Sequence, residues 1–197
     1  MNLVDRVKRI LLSPQAEWEV IDGEATTPSA LYTGYIMPLA AIGPVATVIG
    51  YSVFGIRVPF SGTVYRVPVG SAITSALVTY VLTLVMVYVL SLIIDGLAPT
   101  FGGTKNPIQA LKVAAYSSTA AWIAGIFAIM PGLRMLGILG LYSFYLLYLG
   151  LPVLMKSPKE KAVGYTVVVI IAGVVLFMII GVVVGRFMVM PVGGMAR

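Results

Sequence analysis

Five long apolar runs divide the chain, at residues 31–53, 70–97, 108–130, 133–154 and 162–187, with short polar, Pro- or Gly-containing segments between them. Each has the roughly 20 residues that an α-helix needs to cross the hydrocarbon of a bilayer. A backbone in lipid must satisfy its own N–H and C=O groups, so runs of this length resolve to spanning helices. Composition agrees: 59% of the 197 residues are hydrophobic and 10% charged, with a mean hydropathy of +1.02. The sequence therefore predicts an all-α integral membrane protein. A five-transmembrane-helix bundle over residues 31–197 follows a cytoplasmic segment, residues 1–30, that carries a short amino-terminal amphipathic interfacial helix.

The residues that are missing narrow the chemistry. The chain has no Cys and no His, which removes the usual ligands of zinc, iron and copper, the commonest nucleophile and the commonest general base. No metal, cofactor or disulfide is expected. The 13 basic residues against 7 acidic ones are scattered between the spans, the pattern of membrane topology rather than of a nucleic-acid surface. An intramembrane enzyme needs a nucleophile with a base, or paired carboxylates, buried together. The nearest approach is Ser117 and Ser118 with Lys112, but Lys112 lies on the wrong turn for burial and the serines read as small-face residues. The chain is not expected to be an enzyme.

Asp95 is the acidic residue that ends a long apolar run, in Leu92-Ile-Ile-Asp95, ahead of the turn Pro99-Thr-Phe101-Gly102-Gly103 and the lysines Lys105 and Lys112. A carboxylate at the mouth of a span is costly unless solvated or paired. It reads either as a functional group or as an architectural clasp bonded within the turn or to the start of the third span. Lys112 is expected to extend its long stem toward the headgroups.

From the amino terminus, Arg6, Lys8 and Arg9 are followed by too few apolar residues for a signal peptide, so this end is expected to be retained. Residues 2–12 fit an amphipathic helix with Asn2 as its cap, Leu3, Val7, Ile10 and Leu11 on one stripe, and Asp5, Arg6, Lys8 and Arg9 elsewhere. It lies along the headgroups or packs on the end of the bundle. Ser13-Pro14 restarts the chain, Trp18 is expected at a membrane interface, and Glu17 and Glu19 are expected to keep the segment in water.

The first span carries Pro38 and Pro44 and should break near them, either as a packing kink or as the lining of a substrate path. Residues 54–69 suggest a small hairpin around Ser61-Gly62. Along the second span Thr79, Thr83, Tyr88, Ser91 and Asp95 recur at steps of three to five, a polar face expected to point into the bundle. The third has Ala114, Ser118, Ala121 and Gly125 at helical spacing, which lets helices approach closely and marks a central packing helix. Tyr142, Tyr145 and Tyr148 on the fourth read as packing or interfacial anchors. Gly181 and Gly185 in the fifth form a G-x-x-x-G, read as pairing within the chain or as dimerisation.

Five spans put the termini on opposite sides. With the amino terminus in the cytoplasm, Arg6, Lys8, Arg9, Lys105, Lys112, Lys156, Lys159 and Lys161 lie inside, against Arg57, Arg66, Arg134, Arg186 and Arg197 outside. The excess favours that orientation, in the cell (inner) membrane. It also gathers every acidic residue inside and leaves five arginines outside without one.

The order of Arg9-Ile-Leu-Leu-Ser13-Pro14, Trp18, Phe101-Gly102-Gly103, Leu111-Lys112-Val-Ala-Ala-Tyr116-Ser117-Ser118, Ala121-Trp122, Gly150-Leu151 and Lys159-Glu-Lys161-Ala162 resembles the Yip (Ypt/Rab-interacting protein) family over nearly the whole chain. The resemblance implies five spans, a cytoplasmic amino terminus and, for the eukaryotic members, binding of Rab-type GTPases in vesicle trafficking. This chain departs from those members in its short amino-terminal segment, which fits the prokaryotic branch and argues against a Rab-type partner. The function expected is a non-enzymatic multi-pass protein that organises lipids, membrane-protein partners or a homo-oligomer. The alternative is a small-solute or ion transporter using the broken first span and the polar face of the second.

Overall fold

The computed structural model describes residues 2–57 and 64–187. Among the described residues five helices are long and apolar enough to cross a membrane, and the protein is an all-α multi-pass membrane protein. Two short helices come first, α1 (Leu3–Leu12) and α2 (Pro14–Gly23). The spans follow: α3 (Pro28–Phe54), α4 (Val69–Phe101), α5 (Pro107–Ile129), α6 (Pro131–Met155) and α7 (Lys159–Gly185). Between α3 and α4, β1 (Ile56–Arg57) pairs antiparallel with β2 (Val64–Tyr65). The Ser61-Gly62 turn expected between them lies outside the described residues, as does Arg197.

The small-residue stripe explains why α5 is central. It packs on α3, α4 and α6, and 56% of its most apolar stretch is buried against 6% for α7. Ala114 is fully buried. A side chain at Gly125 would come within 2.9 Å of the Gly43 Cα of α3, and one at Gly140 within 3.2 Å of the Ala121 Cα. At those two crossings the backbones themselves are in contact, the approach that small residues permit. The G-x-x-x-G of α7 behaves differently. Nothing lies within 4 Å of a Cβ built on Gly181 or Gly185, so neither glycine mediates a close helix crossing among the described residues. Both glycines are exposed, so among the described residues the reading of pairing within the chain through them is corrected.

The first span is broken where its prolines predict. Two π-helical turns, Tyr32–Ile36 and Gly50–Phe54, flank short α-segments that meet at Ala41. One carbonyl beside the break, Met37 O, receives a hydroxyl from α4, donated by Tyr80 at 3.2 Å, while Tyr32 of α3 donates back to Leu84 O at 2.9 Å. Protein groups thus bond at the interruption, which is what permits irregular backbone at membrane depth.

The polar face of α4 only partly turns inward. Ser91 is buried and Asp95 half-buried, but Tyr88 is 51% exposed. The five-residue step from Thr83 to Tyr88 advances the helix about 140° beyond a full turn, which carries the tyrosine round toward lipid. The hydroxyls of Thr79, Thr83 and Ser91 donate to Ser75, Thr79 and Tyr88 carbonyls of their own helix. Tyr142 of α6 is half-buried and Tyr145 and Tyr148 are exposed.

Candidate functional site

The amino-terminal helices do not float beside the bundle. The stripe of α1 is turned onto it, with Ile10 fully buried and Leu3, Val7 and Leu11 packed against the core. Asn2 Oδ1 accepts from Val4 N at 3.1 Å and starts the helix. Arg6 lies three residues after Leu3 and four before Ile10, so helical spacing sets it at the edge of the same face. It is 5% exposed, which corrects its placement on the polar side. In α2, Glu17, Trp18 and Ile21 are buried together. Trp18 is fully covered rather than interfacial, since Gly150 of α6 leaves room for its ring: a Cβ there would come within 2.6 Å of it. Glu17, at 3% exposed, is not held in water, because Arg6 takes it.

Arg6 Nη1 donates to Glu17 Oε1 at 2.5 Å, and Nη2 donates to both carboxylate oxygens of Glu24. The guanidinium carbon lies 5.5 Å from the centre of the Tyr116 ring, within cation–π range. Burial by itself would lower the arginine's pKa, but the hydrogen bond to Glu24 and the charges of Tyr116, Glu24 and Glu17 hold it above the usual value. The guanidinium and both carboxylates are thus bonded to one another.

Lys112 corrects a second expectation. It is 3% exposed and does not reach for the headgroups; Nζ donates to Ile21 O at 2.8 Å and Glu24 O at 2.6 Å. Those carbonyls lie in the last turn of α2 and at its cap, where a helix runs short of its own donors; Ile21 O also accepts from Glu24 N at 3.3 Å. A cation there also faces the negative end of the helix dipole. Gln109 Nε2 adds bonds to Asp22 O and Oδ1, and Lys156 Nζ an ion pair to Asp22 Oδ2 at 2.6 Å. Two spans therefore grip the last turn of α2.

Above this grip sits a polar cavity of about 360 Å³, lined by Arg6, Glu24, Tyr35, Lys112 and Tyr116 among others. At its floor Tyr35 Oη and Thr119 Oγ1 are 2.7 Å apart, and the Tyr35 and Tyr116 rings are 4.6 Å apart. Arg6, Glu17 and Lys112 are committed to one another's helices, so the arrangement offers cohesion rather than a free acid or base. Ser117 and Ser118 donate to Ala114 O, and Lys112 points elsewhere, so no serine–lysine pair forms.

Asp95 sits across the same end of the bundle. Its Oδ1 accepts from Asn106 N at 2.7 Å, and Asn106 Oδ1 accepts from Gln109 N at 3.2 Å as the cap of α5. The turn between is seated on α6: Thr104 N donates to Met155 O at 2.8 Å, and a side chain at Gly103 would come within 2.5 Å of that oxygen. Gly102 adopts φ +71, a backbone that glycine enters without strain. Neither lysine pairs with Asp95 among the described residues: Lys105 is exposed and Lys112 serves α2. The remaining candidates scatter. Pro38 is exposed and Pro44 borders a groove with Ser118 and Ala121.

Sequence reasoning missed Arg6, Glu17, Asp22, Glu24, Tyr35, Gln109 and Tyr116 as a group. A signal existed for two of them. Arg6 borders the apolar stripe of α1, and Glu17 precedes Trp18 and Ile21 on the inward side of α2.

The chain matches the Yip1 domain over residues 8–180. It is 26% identical over 167 residues to the inner membrane protein YohC of Escherichia coli strain K12, covering 83% of this chain and 85% of the relative. The YohC protein of Escherichia coli O6:H1 gives the same figures. No solved structure matches. The matched residues run from α1 through the Trp18 and Lys112 contacts and the Asp95 turn into α7, and the chain belongs to the Yip1 domain family.

Proposed function

We propose that this protein is a non-enzymatic scaffold of the cell membrane, its amino terminus in the cytoplasm, which organises membrane-protein partners or lipids on the surface formed by α1 and α2. The observation that carries this reading is the buried grip on those helices: Arg6 with Glu17 and Glu24, and Lys112 with the last carbonyls of α2. Breaking a buried pair by removing one partner costs about 3–5 kcal/mol, so such a cap holds its shape. Its outer surface combines exposed Lys8 and Arg9 with Val4, Leu12 and Val20, a mixture suited to headgroups or to the cytoplasmic end of another membrane protein. The orientation rests on the lysine-rich end carrying the cap, and the inner membrane location on the relatives' own.

The transport alternative finds less support. The groove between α3, α4, α5 and α7, about 400 Å³, includes Thr47, Thr79, Thr83 and Ser118. Their hydroxyls are bonded to carbonyls of their own helices, and the groove holds no ionisable side chain. A coupled pathway needs such groups along its length.

The test has two arms. Photo-crosslinking residues placed at Arg9 and Gln15 in cells should capture a small, reproducible set of membrane proteins or lipid, and Arg6→Ala should abolish the capture. Purified protein in liposomes should pass no ion or solute above the lipid background. A flux that Asp95→Asn alters would replace the scaffold with the transporter.

A further inference from the structure

At the opposite end of the bundle a basic side chain is left without an acid. Arg134 lies in the first turn of α6, in a 3-10 segment, Pro131–Leu141. Its guanidinium carbon is 4.8 Å from the centre of the Tyr51 ring of α3, and its Nη2 is buried with no hydrogen-bond partner among the described residues. A buried cationic donor without an acceptor is costly. No side chain can supply the anion, because Asp5, Glu17, Glu19, Asp22, Glu24, Asp95 and Glu160 all belong to the capped end.

Arg134 also heads a trough. In a 3-10 helix side chains three apart eclipse one another, so Arg134, Gly137 and Gly140 fall in one file, with Ser143 beyond it at the start of the α-helical part also lining the trough. Two of the four have no side chain, and Ser143 Oγ is occupied as acceptor for Ala121 N. The result is a cavity of about 520 Å³ running from Arg134 past Gly137 and Gly140 to Phe144, with Phe127 on its other side. Apart from Arg134 and Ser143, every residue lining it is apolar or glycine. Leu141, Phe144 and Phe177 are exposed on its rim, so it opens sideways to the bilayer. Its volume lies in the range of about 300–1,000 Å³ usual for small-molecule sites. Three residues into its span, Arg134 stands about 6 Å from the helix end. That is the depth of lipid phosphates, with the trough leading on toward the acyl chains.

We propose that this trough binds one anionic phospholipid of the leaflet opposite the cap, its phosphate on Arg134 and one acyl chain between α5, α6 and α7. A guanidinium offers a phosphate two parallel bonds, and the alkyl chain supplies the apolar surface that the glycines leave uncovered. The exposed Arg66 precedes Val67, whose N–H bonds Tyr51 O at 3.2 Å, so a second basic residue stands at the same end for the headgroup. The inference goes beyond the scaffold reading and does not depend on it, since that reading rests on the cap.

The experiment is native mass spectrometry of delipidated protein titrated with phosphatidylglycerol or phosphatidylcholine of the same acyl chains. Wild type should prefer phosphatidylglycerol about tenfold, what one charge-assisted bond is worth. Arg134→Gln should bind both lipids equally, and Arg134→Lys should keep the preference. A Cβ at Gly137 meets nothing within 4 Å, so Gly137→Leu should fold, fill the trough and weaken both lipids. Equal binding of the two lipids by wild type, a preference surviving in Arg134→Gln, or unchanged binding in Gly137→Leu would overturn the proposal. Soluble glycerol phosphate should not compete; if it displaces the lipid at equal concentration, the site is one for free phosphate and the lipid assignment fails.

Discussion

Replacing Arg6 with alanine removes one cation and strands two carboxylates of unequal burial. The Glu17 side chain is 4% exposed and that of Glu24 41%, so Glu24 can turn to water while Glu17 cannot. The loss of a buried partner costs about 3–5 kcal/mol, and most of it falls on Glu17. Glu17→Ala leaves Arg6 its bonds to Glu24 and should cost less. Glu24→Ala should cost less again, near the 0–1 kcal/mol of exposed pairs raised by the burial of Arg6. Arg9, exposed on the same helix, is the control, within about 0.5 kcal/mol of wild type. Equilibrium unfolding in detergent, followed by tryptophan fluorescence, should therefore rank the variants Arg6, Glu17, Glu24 and Arg9 from most to least damaged. If Arg6→Ala and Arg9→Ala unfold alike, the buried cluster does not hold the cap and the reasoning fails.

Three further outcomes follow from the contacts. Gly150→Ala drives a Cβ into the Trp18 ring and should cost about 1–3 kcal/mol as overpacking; in a Trp122→Phe background the Trp18 emission should move toward that of water. Asp95→Ala orphans the Asn106 N–H and should lower thermal stability by about 1–3 kcal/mol, clearly more than Glu160→Ala at an exposed position; equal melting temperatures would remove the clasp. Lys156 ends α6 with φ 55, a left-handed conformation that costs a side chain about 1–2 kcal/mol, so Lys156→Gly should be more stable than Lys156→Ala by about that much, although both lose the Asp22 pair.

The spans were legible because lipid leaves an apolar run of 20 residues little choice of structure, and the central place of α5 because Ala114 and Gly125 repeat at helical spacing. The proline break was legible for the same local reason: a missing N–H acts wherever the residue stands. Partners were not. Lys112 is a lysine near a span end, and general rules send such a residue to the headgroups; only the folded chain brings the carbonyls of Ile21 and Glu24 at the end of α2, some 90 residues away in sequence, within its reach. Asp95 shows the same limit from the other side. Its position announced a bonded carboxylate, yet the partner is a backbone N–H at Asn106, a donor that no residue type advertises. Trp18 was assigned to the interface on composition, and Gly150, whose lack of a side chain buries it, could have been any glycine in a glycine-rich span.

Hydrogen exchange of the α2 backbone in proteoliposomes tests the locked cap most directly, because local opening is what exchange reports. If α1 and α2 are held as described, the amides of Trp18 to Asp22 should exchange nearly as slowly as those of α5, and Arg6→Ala should speed them by orders of magnitude while α5 stays protected. Amides of α2 that exchange at the rate of an unstructured peptide in the wild-type protein would contradict it.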